Sequence, residues 1–129
     1  MATYLREGFC QPLGLVDTQL LHSPAGGATA APADLIGRGR ELLAPSLLDP
    51  ETVARGCAVA FDGLDGVLPG YGRRVPNPWG LGVEVRGTKH PHWTGANNSP
   101  ATVGHFGRSG TFLWVDPEAR RVCVFLGAR

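Results

Sequence analysis

The chain has 129 residues, 43% of them apolar and 18% charged, the size and balance of one globular domain with one core. Twelve basic against eleven acidic residues leave a formal net charge of +1, which excludes a field strong enough to hold nucleic acid or an anionic membrane surface. Nineteen Gly and eleven Pro, about twice the usual share of those two residues, predict many turns and short elements rather than long helices.

In chain order, helices come first and strands last. Residues Thr3 to Gln11 place Tyr4, Leu5 and Phe9 on one helical face, and Pro12-Leu13-Gly14 stops that helix. Pro24-Ala25-Gly26-Gly27 is a turn. Pro32 to Leu43 then carries Leu35, Ile36, Leu42 and Leu43 at a seven-residue repeat, weakened by Gly37 and Gly39, so this helix should depend on packing. Asp49-Pro50-Glu51 is a cleaner start: Asp caps free amides, Pro suits the first helical position and Glu favours the positive end of the helix dipole. A third short helix should run from there to about Arg55.

From Asp62 to Pro78 the density of turn residues predicts an irregular surface loop. Leu81, Val83 and Val85 then alternate with Gly80, Gly82 and Glu84, the period of a half-buried strand. Thr111 to Val115 and Val122 to Leu126 flank Asp116-Pro117-Glu118-Ala119, a type I turn signal, which predicts an antiparallel hairpin. The unbroken apolar run of its second strand implies burial on both faces.

Cys10, Cys57 and Cys123 lie far apart, and an odd count cannot close a full disulfide set. A reducing compartment is expected. No basic and apolar leader opens the sequence, and nowhere do 18 apolar residues run together, so a cytoplasmic location without membrane insertion is expected. Asn97-Asn98-Ser99 matches a glycosylation acceptor but reads as a polar loop in that setting.

The densest stretch is Gly104-His105-Phe106-Gly107-Arg108-Ser109-Gly110-Thr111, leading into Leu113-Trp114-Val115-Asp116-Pro117. Three weaker segments precede it: Tyr4 to Glu7 with Pro12-Leu13-Gly14-Leu15 and Asp17-Thr18; Pro24 to Gly27 through Asp34-Leu35 to Leu43; and Trp79-Gly80-Leu81-Gly82. In this order the four segments resemble the C-terminal portion of the β-lactamase-related serine hydrolases, the group of class C β-lactamases, D-alanyl-D-alanine carboxypeptidases and related esterases. The resemblance spans nearly the whole chain. It implies an α+β fold, short helices followed by an antiparallel sheet of at least three strands, as in the C-terminal part of the β-lactamase and penicillin-binding-protein fold.

Enzymes of that family acylate a serine in Ser-x-x-Lys, use the tyrosine of Tyr-x-Asn as a proton shuttle, and line the site with a strand reading Lys-Thr-Gly or His-x-Gly. Only the last element occurs here. The resemblance assigns His105 to orienting the substrate, Gly107 to letting it lie against the strand, and the backbone amide of Arg108 to the oxyanion hole. The single lysine, Lys89, follows Arg86 by three residues, and the tyrosines read Tyr4-Leu5-Arg6 and Tyr71-Gly72-Arg73. No catalytic nucleophile is therefore assigned. In the family both missing motifs precede the matched segment, so residues 1–129 are expected to form a partial hydrolase domain without its nucleophile-bearing N-terminal part.

Other groupings read as structural. Ser109 follows His105 by four residues, roughly 13 Å along a strand, too far for a nucleophile and base pair, and is taken as a turn residue at the strand end. His90-Pro91-His92 lacks a third ligand at suitable spacing and is read as a polar loop, so no metal is expected. Gly80-Leu81-Gly82 is no dinucleotide fingerprint, and no cofactor is expected. Trp79, Trp93 and Trp114 read as packing residues, with Trp93 a candidate wall of a cleft. His105 alone would read as a histidine satisfied inside a sheet; its surroundings make it a site residue.

Two functions follow. In one, the chain is the C-terminal part of an acyl-serine hydrolase acting on a lactam, a D-alanine peptide or an ester, inactive until an N-terminal half completes it. In the other, it is a non-catalytic binding module or a truncated remnant. A strand edge left unpaired should promote self-association.

Overall fold

The computed structural model describes residues 1–127. A first helix, α1 (Ala2–Leu5), continues through a π-helical turn, Arg6–Cys10. It matches the helix expected from Thr3 to Gln11, but its apolar face is only partly covered: Leu5 and Phe9 are half-buried, Tyr4 is 78% exposed, and Cys10 is the residue it buries. A small hairpin, β1 (Gln19–Leu20) and β2 (Ala28–Thr29), encloses the turn at Pro24–Gly26. Helix α2 (Pro32–Leu43) has the bounds the sequence predicts. Helix α3 (Pro50–Cys57) starts as expected, with the Asp49 carboxylate accepting the Thr52 amide at 2.8 Å.

The segment expected to be an irregular loop contains a second hairpin, β3 (Gly66–Leu68) against β4 (Gly72–Arg74). Gly70 and Gly72 both take φ of +80°, the left-handed region that lets so short a connection close. Leu68 is buried beneath it. Turn-forming residues hid this hairpin because it is almost all turn.

The main sheet has the order β5-β6-β7-β8, all antiparallel: β5 (Glu84–Val85), β6 (Val103–Phe106), β7 (Phe112–Asp116) and β8 (Arg121–Phe125). The strand expected across Leu81, Val83 and Val85 shrinks to Glu84–Val85. Gly82 at φ +94° and a bond from the Gly80 amide to the Val83 carbonyl (2.8 Å) turn the preceding residues into a tight loop, leaving Leu81 exposed. Glu84, expected on a solvent face, is among the most buried residues.

Alternation along the strands separates two faces. One carries Val85, Val103, Val115 and Val122, packed with Leu42 and Leu43 of α2 and Cys57 of α3. The other carries Phe106, Phe112 and Phe125, with Trp93 against the first two at centroid distances of 5.4 and 6.0 Å and Phe125 stacked on Phe112 at 5.3 Å. The second hairpin strand is not buried on both faces: Val122, Cys123 and Val124 are half-buried, while Phe125 and Leu126 are exposed. The cause is position, since β8 is the last strand of its sheet among the described residues.

Two buried carboxylates tie loops to this frame. Glu41 accepts the amides of Ser46, Leu47 and Leu48 at 2.7–3.0 Å and the Ser46 hydroxyl at 2.8 Å. Asp116 accepts the amide and hydroxyl of Ser99 at 2.8 and 2.7 Å and the Ala119 amide at 3.1 Å. Burial alone would raise both carboxyls, but these donors hold each at about 2.

Candidate functional site

The site expected from the sequence lies on β6 and the turn that follows it. Strand β5 covers only the first half of β6, pairing Val85 with Val103 and Glu84 with Gly104. His105 and Phe106 therefore have a neighbour only on the β7 side, opposite Leu113 and Phe112. The Gly107 amide donates to the Thr111 carbonyl at 2.8 Å and the Gly107 carbonyl accepts the Gly110 amide at 3.0 Å. Since successive residues of a strand point their main-chain groups to opposite sides, Phe106 faces the uncovered side. The Arg108 amide has no acceptor among the described residues.

His105 is exposed, and its ring nitrogens have no hydrogen-bond partner among the described residues. It is not a histidine satisfied inside the sheet. Its one close aromatic contact from another segment is Trp79, whose ring meets it edge-on at 5.7 Å and 70°. Trp79 is held there by its own backbone: its carbonyl accepts the Ala60 amide (2.9 Å), and the Leu81 amide donates to the Gly56 carbonyl (2.8 Å). Gly80 must lack a side chain, because a Cβ would collide with the Gly56 carbonyl oxygen and lie 3.0 Å from that of Ala58.

Arg108 and Ser109 occupy the turn between β6 and β7, both exposed. The Ser109 hydroxyl lies 3.1 Å from that of Thr111 and makes no bond to His105 among the described residues, as expected of a turn residue. A Cβ on Gly107 would approach the Thr111 hydroxyl to 3.1 Å, so the bare glycine lets the turn close tightly.

Beneath this edge is a cluster that the sequence reading missed. Glu84 is 1% exposed. Its Oε1 accepts Lys89 Nζ at 2.5 Å and His92 Nε2 at 3.1 Å, and its Oε2 accepts Trp93 Nε1 at 2.7 Å. Lys89 also donates to Asn77 Oδ1 at 2.9 Å. His92 Nδ1 lies 2.9 Å from the Thr94 hydroxyl and 3.3 Å from the Thr94 amide nitrogen, contacts that hold the ring with Nε2 toward Glu84. Burial would push Glu84 up, but bonds from His92, Lys89 and Trp93 hold its carboxyl below the ordinary range. Burial also pulls the Lys89 ammonium down, against the opposing pull of Glu84.

His90–His92 is a polar loop, as expected, but His92 is drawn inward from it, its side chain 2% exposed. The one hint in the sequence is the chain's single lysine, five residues after Glu84, but that spacing does not say that the two side chains meet. Trp93, a candidate cleft wall, instead packs under the sheet. Among the described residues no group of three or more His, Cys, Asp or Glu is placed to hold a metal ion, and no helix is long and apolar enough to cross a membrane.

Solved structures resemble this chain. A β-lactamase from Mycobacterium bovis matches at 52% identity and a TM-score of 0.93, over 99% of this chain and 48% of its own. Simvastatin synthase from Aspergillus terreus matches at 16% identity and a TM-score of 0.70, over 99% of this chain and 43% of its own; that likeness is one of fold. The chain spans about half the length of either protein. No family model and no curated protein matches it.

Proposed function

This chain is a β-lactamase-related sequence with the corresponding α+β fold, and we propose that it supplies the substrate-side wall of a serine acyl-transfer site. The open outer half of β6 carries this reading. There a lactam, a peptide ending in D-alanine or an ester lies along the strand, oriented by His105, with Trp79 beside it. Gly107 leaves space for its approach. The free Arg108 amide donates to the substrate carbonyl oxygen as negative charge builds on it, and one such donor lowers the barrier by about 3 kcal/mol.

Neither Ser-x-x-Lys nor Tyr-x-Asn occurs in these residues, so the attacking serine comes from a complementary segment. Its oxygen bonds to the carbonyl carbon, the amide or alkoxide group leaves with a proton, and water then releases the acyl group as an acid. A second reading, a binding module without catalysis, starts from the lack of a serine paired with a base among the described residues, the Ser109 hydroxyl lying 3.1 Å from that of Thr111.

The test is intact mass of the purified chain after penicillin and after a fluorophosphonate, followed by mixing with the part of the Mycobacterium bovis β-lactamase that this chain does not match. The expected result is no adduct alone, turnover of a chromogenic cephalosporin in the mixture, and its loss in His105→Ala. A stoichiometric adduct on Ser109 would overturn the assignment of roles. A mixture that associates without turnover would favour the binding module.

A further inference from the structure

Glu84 touches three segments around the proposed edge. Its main chain pairs with Gly104, next to His105, and with Trp79, which meets the His105 ring. Its side chain binds Lys89, His92 and Trp93. Trp93 in turn lies against Gly104: a Cβ on that glycine would fall 2.9 Å from Trp93 Cη2. One residue therefore links the strand bearing His105, the turn bearing Trp79 and the loop beneath both.

Stability alone does not account for this choice of residues. Taking a carboxylate and an ammonium out of water is costly, and replacing a buried pair by apolar groups of similar volume is often neutral or stabilising. Directed bonds instead admit few alternative arrangements, because each donor must meet a particular lone pair. Glu84 receives three donors from three side chains on its two oxygens. That geometry fixes where Trp93 sits, and Trp93 sits under the point where β5 ends and the open part of β6 begins.

We propose that Glu84, through Lys89 and Trp93, is a positioning residue that sets the placement of His105 and Trp79 along the open edge of β6. The inference rests on the reading of that edge as the working face. Its test reads geometry directly, without turnover, so an absence of hydrolysis would count against the functional reading and leave this inference standing.

The experiment compares the His105 ring and Trp79 indole signals, and the cross-relaxation between the two rings, by NMR in isotope-labelled chain. The variant is the double substitution Glu84→Gln with Lys89→Met, which removes both charges and keeps the volume. It is expected to unfold cooperatively like the parent, while both signals shift and the ring-to-ring cross-relaxation is lost. Unchanged signals in a folded double variant would overturn the proposal. Should the double variant not fold, Trp93→Phe replaces it: the bond to Glu84 and the Cη2 contact with Gly104 are both lost, and the same readings decide. Failure of both variants to fold would reduce the cluster to a structural one and overturn the positioning role.

Discussion

Trp93 and the neighbouring strand together fill the space that a side chain on Gly104 would need. A Cβ there would collide with the Leu113 carbonyl oxygen and lie 2.8 Å from Trp114 Cα and 2.9 Å from Trp93 Cη2. A backbone atom cannot yield as a side-chain tip can, so Gly104→Ala must displace the strand or the indole. The expected loss is about 1–3 kcal/mol, measured by urea unfolding. A variant as stable as the parent would show that β6 and Trp93 are not in this contact.

Acid should weaken the fold through Glu41 and Asp116. Both carboxyls titrate at about 2 in the folded chain, below their ordinary values of 4.5 and 3.8, so the unfolded chain binds protons first. Their stabilisation is complete above about pH 4.5 and is lost as pH falls toward 2. The urea midpoint should drop across this window, and Glu41→Gln should flatten the drop while lowering stability at neutral pH by about 1–3 kcal/mol. A Glu41→Gln chain with the parent's acid profile would remove Glu41 from this role.

The cysteines should react in a fixed order. Cys10 is 2% exposed, and burial and the neighbouring Asp34 charge push its thiol up; burial also raises Cys57. A chromogenic disulfide reagent near pH 8 should label Cys123 fastest and Cys10 only as the chain unfolds, since the thiolate is the reacting form. Rapid labelling of Cys10 in the folded chain would contradict its burial.

The free side of β8 is a template for strand addition. It ends in Phe125, 52% exposed, and Leu126. Sedimentation should show concentration-dependent association of the chain, reduced in Phe125→Lys because the charge resists burial at a strand-to-strand contact. A parent chain that stays monomeric at all concentrations would remove this edge from consideration.

Local chemistry was enough to read much of this chain from its sequence. Pro32 to Leu43 and Asp49-Pro50 announce helices, and Asp116-Pro117 announces the last hairpin, because capping, proline geometry and periodicity act within a few residues. The strand through His105 and Gly107 was expected only from the resemblance to the His-x-Gly element of the serine hydrolases, since no local pattern marks it. Tertiary structure alone decided what Glu84 does. By alternation it belonged on a solvent face; it is buried because Lys89, His92 and Trp93, separated from it by up to nine residues, converge on one place and supply its hydrogen bonds, with Asn77 accepting a further bond from Lys89. The openness of β6 beside His105 was equally invisible, since it depends on the turn at Gly82 keeping β5 from starting before Glu84. Strand pairing and burial are set by which segments meet in space, and no window of neighbouring residues contains that information.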